Sequence, residues 1–186
     1  LNNGKTILRE KIIKNDSDGN AVIIVAITRN REIVSVIEPR VFTKDTVALG
    51  FPAGYIEKGE EPIKAALREL VEETGYIPED IIEIDSFYQD EGCSSAYNHI
   101  FVAFGCEKKE EQKLDESEYV RELLLNLEEL LEFEKRKRED STLTIGQFAK
   151  EYGMNRNTMK SKLYRGSKQA NKKRPEQKSV IWNYYL

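Results

Sequence analysis

Three carboxylates in the middle of the chain, Glu69, Glu72 and Glu73, recur at i, i+3 and i+4. On a helix that spacing stacks all three on one face, where like charges one turn apart repel. Folding gains nothing from such an arrangement, whereas a hard divalent cation does. Mg²⁺ takes oxygen ligands, keeps several waters, and is held by a few carboxylates together with substrate phosphates. Mn²⁺ accepts the same carboxylate and water ligands. Ile63, Leu67 and Leu70 recur at the opposite helical phase, which predicts a second face buried in a core. Gly75 follows the last turn, where a left-handed cap costs glycine little. The plain alternative is a solvated, salt-bridged surface helix.

The spacing around the carboxylates is more specific than that alternative requires. Gly54 and Glu60 are separated by five residues, and seven more lead to Arg68-Glu69-Leu70-Val71-Glu72-Glu73-Thr74-Gly75-Tyr76. This pattern resembles the signature of the Nudix hydrolase superfamily at each fixed position. The resemblance implies an α/β/α sandwich with a mixed β-sheet. It also implies Mg²⁺-assisted attack of water on a nucleoside diphosphate joined to another group. Carried over by position, Glu69 and Glu73 are direct metal ligands and Glu72 assists them. Arg68 serves the catalytic set by salt-bridging the glutamates, Glu60 holds the loop against the helix, and Gly54 lines the substrate side.

Four further stretches are similar to the ADP-ribose pyrophosphatase branch of that superfamily. Phe51-Pro52-Ala53-Gly54-Tyr55-Ile56-Glu57-Lys58-Gly59-Glu60 matches its entry segment, which makes the Ala53 carbonyl part of the metal shell. Glu38-Pro39-Arg40 stands where the branch carries Gln-x-Arg, which makes Arg40 a phosphate clamp acting through its planar fork. Leu114-Asp115-Glu116-Ser117-Glu118-Tyr119-Val120 resembles the acidic loop that supplies the general base. By that match Glu116 is the base, and Glu118 contributes to the substrate site or as an added metal ligand. Ser141-Thr142-Leu143-Thr144-Ile145 resembles the start of the branch's last helix. One departure bears on the substrate: where the branch has a Ser-Pro-Gly turn, this chain reads Asp90-Glu91-Gly92. The branch also implies a homodimer, although residues 1–15 are short for the crossing N-terminal sheet that accompanies it.

These residues need a scaffold, and the flanking sequence supplies the pattern of one. Residues 6–13 and Ala21–Thr28 read as strands separated by a turn over Asn15–Asn20. Arg29-Asn30-Arg31 turns the chain into Glu32–Ile37, giving a hairpin. Residues 41–46 read as a loop, Val47–Phe51 as a short strand, and Pro52-Ala53-Gly54 as the loop before the helix. Strands are expected over Ile81–Tyr88 and His99–Cys106, a polar acidic loop over Glu107–Glu118, and a closing strand over Tyr119–Leu125. Asn126 is a fair N-cap for a helix over Leu127–Phe133, and Lys135–Asp140 reads as a charged linker.

Composition separates the chain into a body, residues 1–140, and an extension, residues 141–186. Of 29 Lys/Arg and 33 Asp/Glu, nine basic residues and one acid fall between Tyr152 and Lys178, so that segment is +8 and the remainder, with 20 basic and 32 acidic residues, is −12. The extension is expected to be helical and basic, with the outline of a helix-turn-helix over Thr144–Gly166. The rival reading is therefore an ADP-ribose-sensing regulator that contacts nucleic acid through Arg156, Asn157, Lys160 and Lys162. Against it stand the acidic body and the intact carboxylate pattern. No apolar run has the length of a membrane span and no secretory leader is recognised, so a cytoplasmic enzyme without membrane contact is expected. Cys93 and Cys106 have no metal-ligand spacing, the lone His99 reads as a strand residue, and Trp182 as part of an apolar, aromatic packing segment.

Overall fold

A computed structural model describes residues 10–14, 17–40, 47–116, 118–140, 143 and 147. The described elements are β1 (Ala21–Thr28), β2 (Glu32–Pro39), β3 (Val47–Gly50), β4 (Ala53–Tyr55), α1 (Pro62–Thr74), β5 (Tyr76–Ile77), β6 (Asp80–Tyr88), β7 (Tyr97–Lys108), β8 (Arg121–Asn126) and α2 (Leu127–Glu139). They form an α/β sandwich built on a mixed sheet. The path through the sheet runs β3-β2-β1-β7-β5, with β4 on β1, β6 on β7 and β8 on β2. β1 and β7 are parallel, with Ile24 opposite Phe101 and Ala26 opposite Ala103, and the other pairs are antiparallel.

Alternation decides what each strand buries. In β1 the even positions Val22, Ile24, Ala26 and Thr28 are buried while the odd ones are half-buried, as period-two side chains require. β2 is buried on both faces from Ile33 to Ile37, as befits a strand flanked by β1, β3 and β8. The core on the α1 side joins Val22, Ile24, Ala26, Val34, Phe101 and Ala103 to Ala65, Ala66 and Leu70.

Helix α1 begins at Pro62, where proline's missing N–H costs nothing, and ends at Gly75, whose φ of 75° is left-handed. Its buried face departs from the sequence reading. Leu70 is buried as expected, but Ile63 and Leu67 are 43% and 36% exposed. The rows that turn inward are Ala65-Glu69-Glu73 and Ala66-Leu70-Thr74. Alanines at 65 and 66 let the helix approach the sheet closely, so two of the three carboxylates share the buried face. The helix is not divided into opposite acidic and apolar faces.

Other boundaries move for local reasons. Ala53 and Gly54, expected as loop, pair with Ile23 and Val22 as part of β4. β7 runs on to Lys108, into the stretch expected as loop, because Glu107 and Lys108 pair with Ile77 and Tyr76. Asn126 is the N-cap of α2 and forms a capping box with Glu129. The helix then continues through Lys135–Arg138, expected as linker, because basic side chains suit a C-terminal turn. Residues 10–14 form no strand, although the Ile12 N–H donates to the Cys93 carbonyl at 2.8 Å. The expected strand at 6–9, the loop at 41–46 and the extension from 148 onward, including the helix-turn-helix outline and Trp182, lie outside the described residues. No helix among the described residues is long and apolar enough to cross a membrane.

Candidate active site

Two segments meet at the site: strand β4 and the inward face of α1. β4 is fixed by pairing with β1 and by the Ile24 N–H, which donates to the Pro52 carbonyl at 2.9 Å. The Ala53 N–H donates to Glu73 Oε2 at 3.0 Å, tying the last turn of α1 to the strand. One residue on, a β-carbon added to Gly54 would fall on the Glu69 carboxylate. Gly54 is thus a close-approach glycine whose missing side chain makes room for Glu69.

Arg68 is the hub of the carboxylates. Its Nε and Nη2 donate to both oxygens of Glu60 at 3.0 and 2.9 Å, Nη1 donates to Glu69 and Glu72 at 2.7 and 3.0 Å, and Nη2 also reaches the Tyr55 carbonyl at 3.0 Å. This bidentate geometry is particular to a guanidinium. It lowers the pKa of Glu60 below the ordinary carboxylate range and raises that of Arg68 itself. Glu60 therefore holds the loop to the helix through Arg68, as expected.

Burial sets the protonation of the two inner carboxylates. Glu69 is raised above the ordinary carboxylate range by desolvation, which outweighs its contact with Arg68. Glu73 is 5% exposed and is pushed up to about 8, first by burial and further by the charges of Glu69, Glu38 and Glu118, against the opposing Ala53 N–H. A buried acid surrounded by acids is costly when ionised, and a cation beside it removes that cost. The donors are all oxygen, which suits a hard divalent ion. Among the described residues no three His, Cys, Asp or Glu side chains converge on one point. Glu69 and Glu73 instead face Arg68 and the Ala53 N–H.

The acidic loop is anchored to the end of α1. The Lys109 and Glu110 N–H groups donate to the Gly75 carbonyl at 3.0 and 3.1 Å, and the Lys113 N–H donates to the Glu72 carbonyl at 2.8 Å. The Gln112 side-chain amide donates to the Glu73 carbonyl. These bonds satisfy carbonyls that a helix end leaves open and lead the chain to a turn closed by Glu118 N–H to Asp115 O at 3.0 Å. From there the Glu118 charge reaches Glu38, Glu69 and Glu73. Glu116, the expected base, is exposed on the same turn. Arg40 follows the end of β2, and its guanidinium pairs with Glu38.

The structure therefore brings Ala53, Gly54, Arg68, Glu69, Glu72 and Glu73 together; the charge of Glu118 acts on Glu69 and Glu73, and Arg40 is paired with Glu38. Two contributors escaped the sequence reading. Glu38 stood only as a departure from Gln-x-Arg, and Gln112 carried no local signal at all. The Asp90 turn is closed by its own side chain: Asp90 accepts from the Gly92 N–H at 3.0 Å and from the Cys93 thiol at 2.8 Å. That contact raises the Cys93 thiol, and burial pushes Cys106 up to about 11, so neither is an activated nucleophile. His99 is a strand residue paired with Glu83 at 2.7 Å.

Residues 18–144 match the NUDIX domain family. The chain belongs to that family and is a Nudix-superfamily hydrolase. It is 40% identical over 146 residues to the methanol dehydrogenase activator of Bacillus methanolicus, covering 78% of this chain and 76% of that protein. It is 39% identical over 132 residues to the ADP-ribose pyrophosphatase of Bacillus subtilis (strain 168), covering 70% and 69%. The crystal structure of an ADP compounds hydrolase shares the fold, with a TM-score of 0.57 at 24% identity over 74% of this chain and 75% of the other.

Proposed function

We propose that the chain hydrolyses the pyrophosphate of ADP-ribose, or of a related nucleoside diphosphate sugar, to a nucleoside monophosphate and a sugar phosphate. The observation that carries this reading is the seating of the buried Glu69–Glu73 pair against Ala53 and Gly54. That arrangement places oxygen donors, and no activated thiol, at the junction. Similarity to the ADP-ribose pyrophosphatase of Bacillus subtilis supports the choice of substrate class.

Glu69, Glu73 and the Ala53 carbonyl would hold Mg²⁺ or Mn²⁺, with Glu72 assisting. The cation, when bound, neutralises pyrophosphate charge and acidifies water. The remaining work belongs to the chain. Arg68 keeps the glutamates oriented and Gly54 lets the substrate side approach them. Arg40 grips a terminal phosphate, and Glu118 contributes to the substrate site. Glu116, exposed on its turn, acts as general base by accepting a proton from the attacking water. The catalytic unit is residues 1–140, and 141–186 is an extension to it.

The test is nucleoside monophosphate release, with and without Mg²⁺, from ADP-ribose, ADP-glucose, GDP-mannose, NADH, diadenosine polyphosphates and nucleoside triphosphates. Glu73→Gln runs beside the wild type. Preference for ADP-ribose, lost in the variant, is expected. Activity confined to another substrate moves the specificity to it, and silence across the panel from folded protein overturns the enzyme reading.

A further inference from the structure

The turn that carries Glu116 is closed from both sides. The Glu118 N–H donates to the Asp115 carbonyl at 3.0 Å, and the Asp115 N–H donates to Glu118 Oε2 at 3.1 Å. Glu116 stands exposed between them. Bonds within a turn fix its shape but not its place. The position of Glu116 relative to the carboxylates of α1 must come from bonds that leave the turn.

Two consecutive residues supply them, and they take two consecutive carbonyls of the last turn of α1. The Lys113 N–H donates to the Glu72 carbonyl at 2.8 Å, and the Gln112 side-chain amide donates to the Glu73 carbonyl. The first is a main-chain bond that any residue except proline can make, whereas the second depends on the side chain. Gln112 Nε2 also lies 3.4 Å from the Val120 carbonyl, beyond the turn and just before β8. Val120 is buried, so that carbonyl belongs to a fixed part of the chain. A primary amide carries two N–H groups on one nitrogen. One side chain therefore joins the end of α1 to the chain on both sides of the turn. A single bond from Lys113 would be a pivot, and the two from Gln112 oppose rotation about it. Glu73, whose carbonyl receives one of them, is held on its other side by the Ala53 N–H, which donates to its carboxylate at 3.0 Å.

We propose that Gln112 is a positioning residue for the hydrolysis: by bonding the Glu73 and Val120 carbonyls together, it sets the Glu116 turn at a fixed place beside the Glu69–Glu73 end of α1. This rests on the pyrophosphate-hydrolase reading above and on Glu116 as its base, and it adds what keeps that base in reach. Gln112 acts through Glu116 and not on the substrate. Its loss should slow the chemical step and leave substrate binding nearly unchanged.

Steady-state release of nucleoside monophosphate, with Mg²⁺ and the panel substrate that the wild type prefers, tests this in Gln112→Met, Gln112→Glu, Glu116→Gln and the double variant Gln112→Met/Glu116→Gln. Methionine keeps the volume of glutamine and ionised glutamate keeps its shape, and neither donates a hydrogen bond. Both single variants are expected to lose kcat by about 100-fold, the usual cost of misplacing a catalytic group by about 1 Å, with KM changed by less than about 3-fold. Without Glu116 there is no base left to position, so adding Gln112→Met to Glu116→Gln should cost less than about 3-fold further. Folded Gln112 variants with wild-type kcat, or a Gln112→Met loss that multiplies in full onto that of Glu116→Gln, overturn the inference and leave the hydrolase reading intact. A loss in Gln112→Met that Gln112→Glu does not share assigns the effect to shape and overturns it equally. Undiminished kcat in Glu116→Gln removes the base and this inference with it, whereas wild-type silence across the panel removes the hydrolase reading itself.

Discussion

The α-carbon of Gly54 lies so close to the Glu69 carboxylate that a methyl group at position 54 would occupy the same space. Glycine is required here by distance, not by an unusual backbone angle. Gly54→Ala must push Glu69 away from β4 or shift β4 itself. A displacement of about 1 Å at a reacting centre costs on the order of 100-fold in rate. A loss of that size in kcat, with a smaller change in KM, is expected from steady-state assay of nucleoside monophosphate release. Wild-type kcat in the variant would mean Glu69 can retreat without consequence.

Arg68 predicts a different kind of loss. Removing it leaves Glu60, Glu69 and Glu72 facing one another without a cation. Breaking a buried pair costs about 3–5 kcal/mol, and partial exposure of Arg68 and Glu72 reduces that. Urea denaturation of Arg68→Ala should show a loss of about 2 kcal/mol relative to wild type. Arg68→Lys should recover less than half of it, because an ammonium cannot reproduce the fork on Glu60. Full recovery by lysine would assign the effect to charge alone.

These contacts show what was legible in the sequence and what was not. The 54–76 spacing is local, and a helix converts local spacing directly into geometry, so Glu69, Glu72, Glu73 and their Gly75 terminus were readable. The burial of α1 was misread because apolar periodicity assumes that large side chains face the core. Here Ala65 and Ala66 do so, and Ile63 and Leu67 face outward. The charge of Glu38 acts on Glu73 only once β2, β1 and β4 have paired, and no window of sequence contains that relationship. Gln112 is similar: its bond to the Glu73 carbonyl spans 39 positions. The capping box at Asn126 is the opposite case, a four-residue signal realised in place, although the stop of α2 was not, since Lys135–Arg138 favour either a linker or a last turn.

Gly75 links the helix to the acidic loop, and its substitution should separate stability from local order. Its φ is 75°, and an added β-carbon would strike the Glu110 carbonyl, with the carbonyl carbon at 2.9 Å. Left-handed strain costs a non-glycine residue about 1 kcal/mol, and the loss of the Lys109 and Glu110 bonds to the Gly75 carbonyl adds to it. Gly75→Ala is expected to lose about 2–3 kcal/mol in urea denaturation. Amide exchange at 109–113 should accelerate before exchange in the β1–β7 core. Loop protection equal to wild type would show that the loop is held by its other contacts.

Glu73 carries the pH dependence. Its folded value of about 8 lies above the ordinary 4.5, so between those two pH values the folded chain keeps a proton that the unfolded chain has released. Stability therefore falls as pH rises through this window. The contribution is fully present below pH 4.5 and is lost by about pH 8, an effect on the order of 5 kcal/mol for this one group. Glu69 and Glu38, also raised by burial, act in the same direction. In chelator, urea midpoints of the wild type should decline from pH 5 to pH 8, and Glu73→Gln should flatten most of that slope. Saturating Mg²⁺ should restore the wild type at pH 8 more than at pH 5, because only the ionised carboxylate is a ligand. Parallel wild-type and Glu73→Gln curves across the window would place the ionisation elsewhere.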